Sequence, residues 1–449
     1  MNNQDVLGKF IVKAPFAVMT RIAVQAVTAE ELDQVFEEHR KSQYERTAKF
    51  SAVAMAVADV ALNFSENFNQ AYKVHREQLG VAIPCFYDKI KATEPTVSEA
   101  LVARSAEKAS QLQDALGLVA WEILPGYRVF GVDGNVLAKT DKRLGVLRDS
   151  AGAPLPGKVV ARFDLQRQLF DRAYLLEDAH DQESATCDRL VEDLLPNDVL
   201  VADRHYCIVR FLERIAAAKG KFIIRQHGRL KGVLLGRRKR LGRTDSGVVY
   251  EQKLKLSADD DALVVRRITV VLDTPTRDGE TEIHVLTNLP AKVDGRTIAN
   301  VYRLRWEEEN AFHVLQMTLT CELASVAHPR AALLLFCMSM LAYNIRQVIF
   351  AALYAEHAEE EVEAVSHFHL SKEVSRYTDG MLVVLDDDAW RELFPRSARG
   401  VVSLLRTIAR GIDLSDYNKS RRGPKKKKPK RSRNVKSSHV STARLLGIT

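Results

Sequence analysis

Between residues 126 and 228 the chain alternates extended and helical patterns in one order, and that order limits the folds open to it. GYRVFGVDGNVL (126–137) reads as a strand in which Tyr127, Val129, Phe130 and Val132 lead to Asp133, with Gly134 and Asn135 as turn residues. KVVARFDLQ (158–166) and QLFDRAYLLED (168–178) read as two more strands. ESATCDRLVEDLL (183–195) is helical and stops before Pro196, and NDVLVADRHYC (197–207) is a strand with Asp203 towards its C-terminal end. IVRFLERIAAAKG (208–220) is a helix closed by Gly220, and KFIIRQHG (221–228) is a strand. Three strands, helix, strand, helix, strand implies an α/β fold: a mixed sheet with helices on its faces.

The flanks read differently. Residues 1–120 are mostly helical, with helices expected over 31–44, 50–74 and 95–116 and Ser98 as an N-cap. No helix-turn-helix signature decides between a helical scaffold and a DNA-binding domain. Residues 121–228 form the first part of the α/β core, and 229–290 interrupt it. The interruption holds β-branched strands at 248–256, 262–273 and 281–290, so a β-rich insertion is expected. It opens with GRLKGVLLGRRKRLGR (228–243), and no acid occurs from 221 to 244, which makes Arg237, Arg238, Lys239 and Arg240 a basic patch. Residues 291–355 resume the core and include an apolar helix over 329–354; 356–417 are helical again.

Charge is concentrated at one end. The net charge is +8, yet twelve Lys or Arg and no acid follow Tyr417, which leaves −4 for everything before it. Residues 418–449, with Lys425, Lys426, Lys427 and Lys428, are too polar to fold alone and read as a disordered arm for a polyanion. The cysteines at 85, 187, 207, 321 and 337 are odd in number and form no CxxC, which argues for reduced thiols and against a disulfide framework or a zinc site. The opening MNNQDVLGKF lacks a long apolar stretch, and the longest apolar run (331–343) is too short to span a bilayer. A cytoplasmic protein with no membrane partner is expected. The absence of GxxxxGK[ST] argues against a nucleotide cofactor.

The chemistry gathers on acids and one helix. Asp133 and Asp203 each fall at or near the end of a strand, the edge at which open α/β sheets bind ligands. YRLRWEEENAFHVLQ (302–316) adds Tyr302, Arg305, Glu309 and Gln316, which on one continuous helix share an arc of roughly 60° at about 100° per residue. That wall also reads as a solvated face laced with ion pairs, since Glu307, Glu308 and Glu309 follow Arg303 and Arg305. The arc favours Glu309 over Glu308 as a third carboxylate. Three hard-oxygen ligands without His or Cys suit Mg²⁺ or Mn²⁺, and a pair of such ions serves phosphoryl transfer.

FGVDGNVL, then VLVADRHYC, then Y-x2-R-x3-E on a helix preceded by TNLP (287–290) resembles the DDE transposases of bacterial insertion sequences, in particular the cut-and-paste group with a Tyr-Arg-Glu-Lys signature. The resemblance covers roughly residues 120–350. It implies a ribonuclease-H-like core split by the insertion, with Asp133, Asp203 and Glu309 as catalytic metal ligands and two Mg²⁺ ions, Mn²⁺ substituting. It implies that Tyr302 and Arg305 contact phosphates, and that a homodimer acts on double-stranded DNA in the bacterial nucleoid. The group expects Lys where this chain has Gln316. Two rival readings stay open: a metal-dependent nuclease that never joins ends, and an inactive transposase-derived DNA-binding protein.

Overall fold

The computed structural model describes residues 2–448 apart from 29, 30, 44–46, 119, 277, 396 and 421–438. Its centre is a nine-stranded sheet. In chain order the strands are β1 (Arg128–Val136), β2 (Ala153–Leu155), β3 (Lys158–Asp164), β4 (Leu169–Leu176), β5 (Asp198–Ala202), β6 (Lys221–Arg225), β7 (Val233–Thr244), β8 (Gly247–Lys255), β9 (Val264–Leu272), β10 (Glu282–Thr287) and β11 (His439–Ser441). The large sheet runs β4-β3-β1-β5-β6-β10-β9-β8-β7, with β1, β5 and β6 parallel and every other neighbour antiparallel. This is the mixed α/β architecture with flanking helices that the alternation implies.

The period of two in these strands sorts their residues onto two faces. Val129, Val159, Ala161, Phe163, Val199, Val201 and Ile223 belong to one core, and Phe130, Val132, Val160, Leu200, Ala202, Phe222 and Ile224 to another. A sheet covered on both faces explains why β5, DVLVA, is buried at every position. The first core is closed by the helix Pro329–Tyr354. By length and composition that helix could cross a membrane, but 94% of its most apolar window is buried inside the protein. It is a core helix. Its Asn344 extends the outer strand, accepting from the Phe170 N–H and donating to the Phe170 carbonyl, both at 2.9 Å. That satisfies a backbone edge that would otherwise be buried without partners.

Several expectations change. The N-terminal helices Pro15–Thr28, Phe50–Ala61 and Pro95–Leu116 pack directly on the core helix, so residues 1–120 share its hydrophobic core. The expected helix 50–74 is two, Phe50–Ala61 and Phe68–Val74, and Glu94 stands where an N-cap at Ser98 was expected; Ser98 is buried within the helix. Gly134 and Asn135 do not turn: pairing with Val160 and Val159 carries β1 through them to Val136. The insertion extends the core sheet through β10 pairing with β6, and its basic run, expected as a patch, is the strand β7.

The tail also differs. Lys425, Lys426, Lys427 and Lys428 lie outside the described residues, and residues 439–446 after them take up regular structure. β11 pairs in parallel with β2, Thr442 and Ala443 are buried, and Arg444 forms an ion pair with Asp178. The backbone partners and the pairing of exposed Arg444 with buried Asp178 supply what composition alone does not.

Candidate metal and phosphate site

Parity on β1 decides which side chains can meet. Val129, Gly131, Asp133 and Asn135 share the face that looks towards the helix Arg305–Thr318. On the parallel neighbour Val132 is paired with Ala202, so Asp203 follows one step beyond the end of β5 beside Asp133. Two acids on adjacent parallel strands therefore stand at one carboxyl edge, as the sequence order predicts.

Each is held differently. Asp203 caps the short turn Arg204–Tyr206, accepting from the His205 N–H at 2.7 Å and standing 2.8 Å from His205 Nδ1. Asp133 is mostly buried; burial pushes its carboxyl up to about 6, against the opposing pull of the Arg305 guanidinium. Glu183 and Asp203 add to the upward shift by their charge.

The expected single helix over 302–316 breaks at Leu304. Gly295–Arg303 ends with a tight turn in which the Leu304 N–H meets the Val301 carbonyl at 3.0 Å, and Arg305–Thr318 begins anew. Tyr302 and Arg305 nonetheless remain neighbours, because the break falls between them. Arg305 Nη1 reaches Asp133 Oδ2 at 3.4 Å and its Nη2 reaches Glu309 Oε1 at 2.6 Å. One guanidinium thus bridges Asp133 and Glu309. Burial works against its charge, and Tyr302, Glu309 and Asp133 outweigh that, so its pKa is raised. The Tyr302 phenol is shifted up by burial, against the pull of Arg305. Further along, Gln316 Nε2 donates to Asn135 Oδ1 at 3.2 Å, and the Asn135 amide nitrogen has no partner.

Sequence reasoning placed Asp133, Asp203, Tyr302, Arg305, Glu309 and Gln316, and the fold gathers their elements at one edge. It left Glu308 as the less favoured acid and did not weigh Glu183. Glu308 is fully buried over Gly131, where a Cβ would stand 2.5 Å from its Oε2. Neither of its oxygens makes a hydrogen bond of ordinary geometry; the Asp133 backbone N–H draws its pKa down only weakly, and burial followed by the charge of Asp133 pushes it far up. Glu183 lies against Gly134 on the other face of β1. The legible signal for both was the pair of glycines flanking Asp133, which leave room for a close approach. Tyr206, also missed, is buried nearby with an unpartnered hydroxyl.

The basic residues of the insertion lie apart. Arg237, Arg238, Lys239 and Arg240 are exposed on β7, the outer strand of the sheet, with Arg238 stacked 4.1 Å from the Tyr250 ring and 3.2 Å from Glu282. Charges on an edge strand also block unwanted strand pairing. β7 packs on the helix Gly295–Arg303, which ties the insertion to Tyr302.

Residues 158–345 match the family model described as the transposase DDE domain. Asp203, Tyr302, Arg305, Glu308, Glu309 and Gln316 fall inside that span, and Asp133 precedes it. Among solved structures, a piggyBac transposase synaptic complex with hairpin DNA is similar with a TM-score of 0.46 and 8% identity, over 87% of this chain and 85% of that one. No curated protein matches the chain. The match over residues 158–345 supports a DDE transposase.

Proposed function

We propose that this protein is a cut-and-paste transposase that cleaves the ends of its own mobile element and joins them to target DNA. The observation that carries the reading is the placement of Asp133 on β1 beside Asp203, one step past the end of the parallel strand β5, with Arg305 linking Asp133 to Glu309. The membership proposed is the Tyr-Arg-Glu-Lys group of bacterial insertion sequences, with Gln316 in the lysine position.

The donor set fits a hard divalent cation. It is made of carboxylates, two of them linked through one guanidinium, and the buried Glu308 beside them has no partner. Among the described residues no three His, Cys, Asp or Glu side chains are gathered closely enough to hold an ion as placed. In this conformation Arg305 supplies the positive charge between Asp133 and Glu309. Asp133, Asp203 and Glu309 are the proposed holders of Mg²⁺ or Mn²⁺. When bound at such carboxylates, these ions activate an attacking oxygen and stabilise a leaving one.

The chain's own residues bind and orient. Arg305, drawn off Asp133, presents a fork suited to two phosphate oxygens, and Tyr302 and Gln316 offer neutral hydrogen bonds beside it. Each chemical step in the proposed pathway is an in-line phosphoryl transfer: water frees a 3′-OH, that hydroxyl closes a hairpin, a second water reopens it, and the 3′-OH attacks the target. Positioning and charge neutralisation carry such steps. Two element ends handled together call for a homodimer. The Arg237–Arg240 strand and Lys425–Lys428 would add affinity that falls with salt and carries little sequence information.

The test is cleavage of a linear DNA carrying the element's end, with Mg²⁺ or Mn²⁺, on a denaturing gel. A nick followed by a hairpin is expected. Asp133→Ala should abolish both and spare DNA binding. Cleavage without joining of pre-cut ends would leave a nuclease, and binding without cleavage in either metal would leave an inactive relative.

A further inference from the structure

We propose that Glu308 is a further ligand for the divalent cation of this site, additional to Asp133, Asp203 and Glu309. The inference rests on the metal-dependent reading above and deepens it.

Its ground is an asymmetry in how buried acids are treated. Among the described residues, the fully or nearly fully buried acids are Asp59, Glu94, Asp178, Asp198 and Glu308. Asp59 is bonded to His75 at 2.7 Å, and Glu94 accepts from the Ser42 N–H and hydroxyl at 2.8 and 2.7 Å. Asp178 pairs with Arg444, and Asp198 with Arg128 at 2.8 Å. Glu308 alone of the five has both oxygens without a partner. A carboxyl left that way destabilises the fold, and a leucine at this helix position would avoid the cost.

Its placement is specific. The carboxyl sits over Gly131, two residues before Asp133 on the same face of β1, in the space a Cβ would take. Asp133, Asp203, Glu308 and Glu309 then put four acids at one edge, with Arg305 the cation paired among them. Mg²⁺ and Mn²⁺ take about six oxygens in octahedral geometry and bring the missing positive charge. A cation bound by Asp133 is a partner chemically suited to the idle Glu308 oxygens.

The experiment is Mn²⁺ binding by calorimetry on the full chain without DNA, for wild type, Glu308→Gln, Glu308→Leu and Asp133→Asn, with the melting temperature of each read with and without Mn²⁺. Glu308→Gln keeps the shape and removes the charge. It should weaken Mn²⁺ binding tenfold or more. Without metal, Glu308→Leu should melt at or above the wild-type temperature, and the rise on adding Mn²⁺ should shrink in both Glu308 variants. A purely structural role predicts the reverse: lower melting temperatures and unchanged Mn²⁺ affinity. Unchanged affinity in Glu308→Gln, with Asp133→Asn impaired, overturns the role of Glu308 and leaves the metal reading standing. No Mn²⁺ binding by the wild type overturns both.

Discussion

Two buried acids from other elements pack against β1, Asp198 of β5 at its first residue and Glu308 of the helix Arg305–Thr318 over Gly131, and they are treated in opposite ways. At the start, Asp198 is fully buried and takes both Arg128 Nε and Nη2 at 2.8 Å, with the Leu195 N–H at 2.9 Å as a third donor. Further along, Glu308 is equally buried and has no partner, and Asp133 shares one arginine with Glu309. Packing cannot explain the contrast, since one sheet and the same degree of burial serve both. An acid that only holds the fold together is satisfied where it stands. An acid left wanting marks where something from outside completes the structure.

The largest effect expected from breaking this contrast is at the satisfied end. Asp198→Ala removes two acceptor oxygens that take three hydrogen bonds and leaves the Leu195 N–H without its partner. Because Arg128 stays half exposed, a loss of about 2–3 kcal/mol is expected, read from urea unfolding. A loss below about 1 kcal/mol would show that water through the exposed Arg128 replaces the pair, and the contrast would weaken.

Asp164 sharpens the comparison from a second direction, because it is satisfied by neutral donors rather than by a cation. It accepts from the Gln166 and Arg167 N–H groups at 2.8 and 3.0 Å, yet burial raises its pKa from 3.8 to about 6. A raised pKa means that its stabilising contribution is complete below about 3.8 and is lost as pH rises through about 6. Asp164→Asn keeps an acceptor and never charges. The variant should match wild type near pH 4 and exceed it by about 2 kcal/mol at pH 8, as checked by urea unfolding at both pH values. Equal stability at pH 8 would mean that its two backbone donors are enough.

At the unsatisfied end the sign reverses. Glu308→Leu should raise the stability of the metal-free protein by about 1–2 kcal/mol, since it removes an unpartnered buried polar group, measured by the same unfolding. A fall of that size would show that Glu308 has a structural partner in solution and would erase the difference between the two ends of β1.

The same contrast explains what could be read in the sequence. The core strands were legible because they are short β-branched runs bounded by Gly, Pro and Asn, and five of them lie where the pattern put them. The helix Pro329–Tyr354 was legible for its unbroken apolar face. Three features were hidden, each for a physical reason. The break at Leu304 leaves the helical period nearly intact, so Tyr302 and Arg305 still read as one face. The basic run 233–244 reads only as a basic patch because its solvent-facing charges mask the strand, whose pairing with β8 comes from residues further along the chain. Glu308 looks like one more charge in an acidic triplet, and only the parity of β1 shows that it turns inward over Gly131.

Gln316 is where the two kinds of site meet. It faces β1 on the same side as Asp133, but its bond is neutral, an amide to Asn135 at 3.2 Å. Gln316→Lys adds a charge at a place with two competing uses. If the position faces the DNA backbone, the new ammonium neutralises one phosphate, and the slope of log affinity against log salt should steepen by about 0.9, a change of a few-fold at moderate salt. If instead the ammonium turns to the acids, the salt slope stays put and Mn²⁺ affinity falls, because a fixed cation now occupies part of the field at Asp133 and Glu308. Measuring the salt slope and the Mn²⁺ affinity on one variant separates these outcomes. The first would place position 316 with Arg305 and Tyr302 as part of the phosphate grip, and the second would extend the unsatisfied end of β1 by one residue.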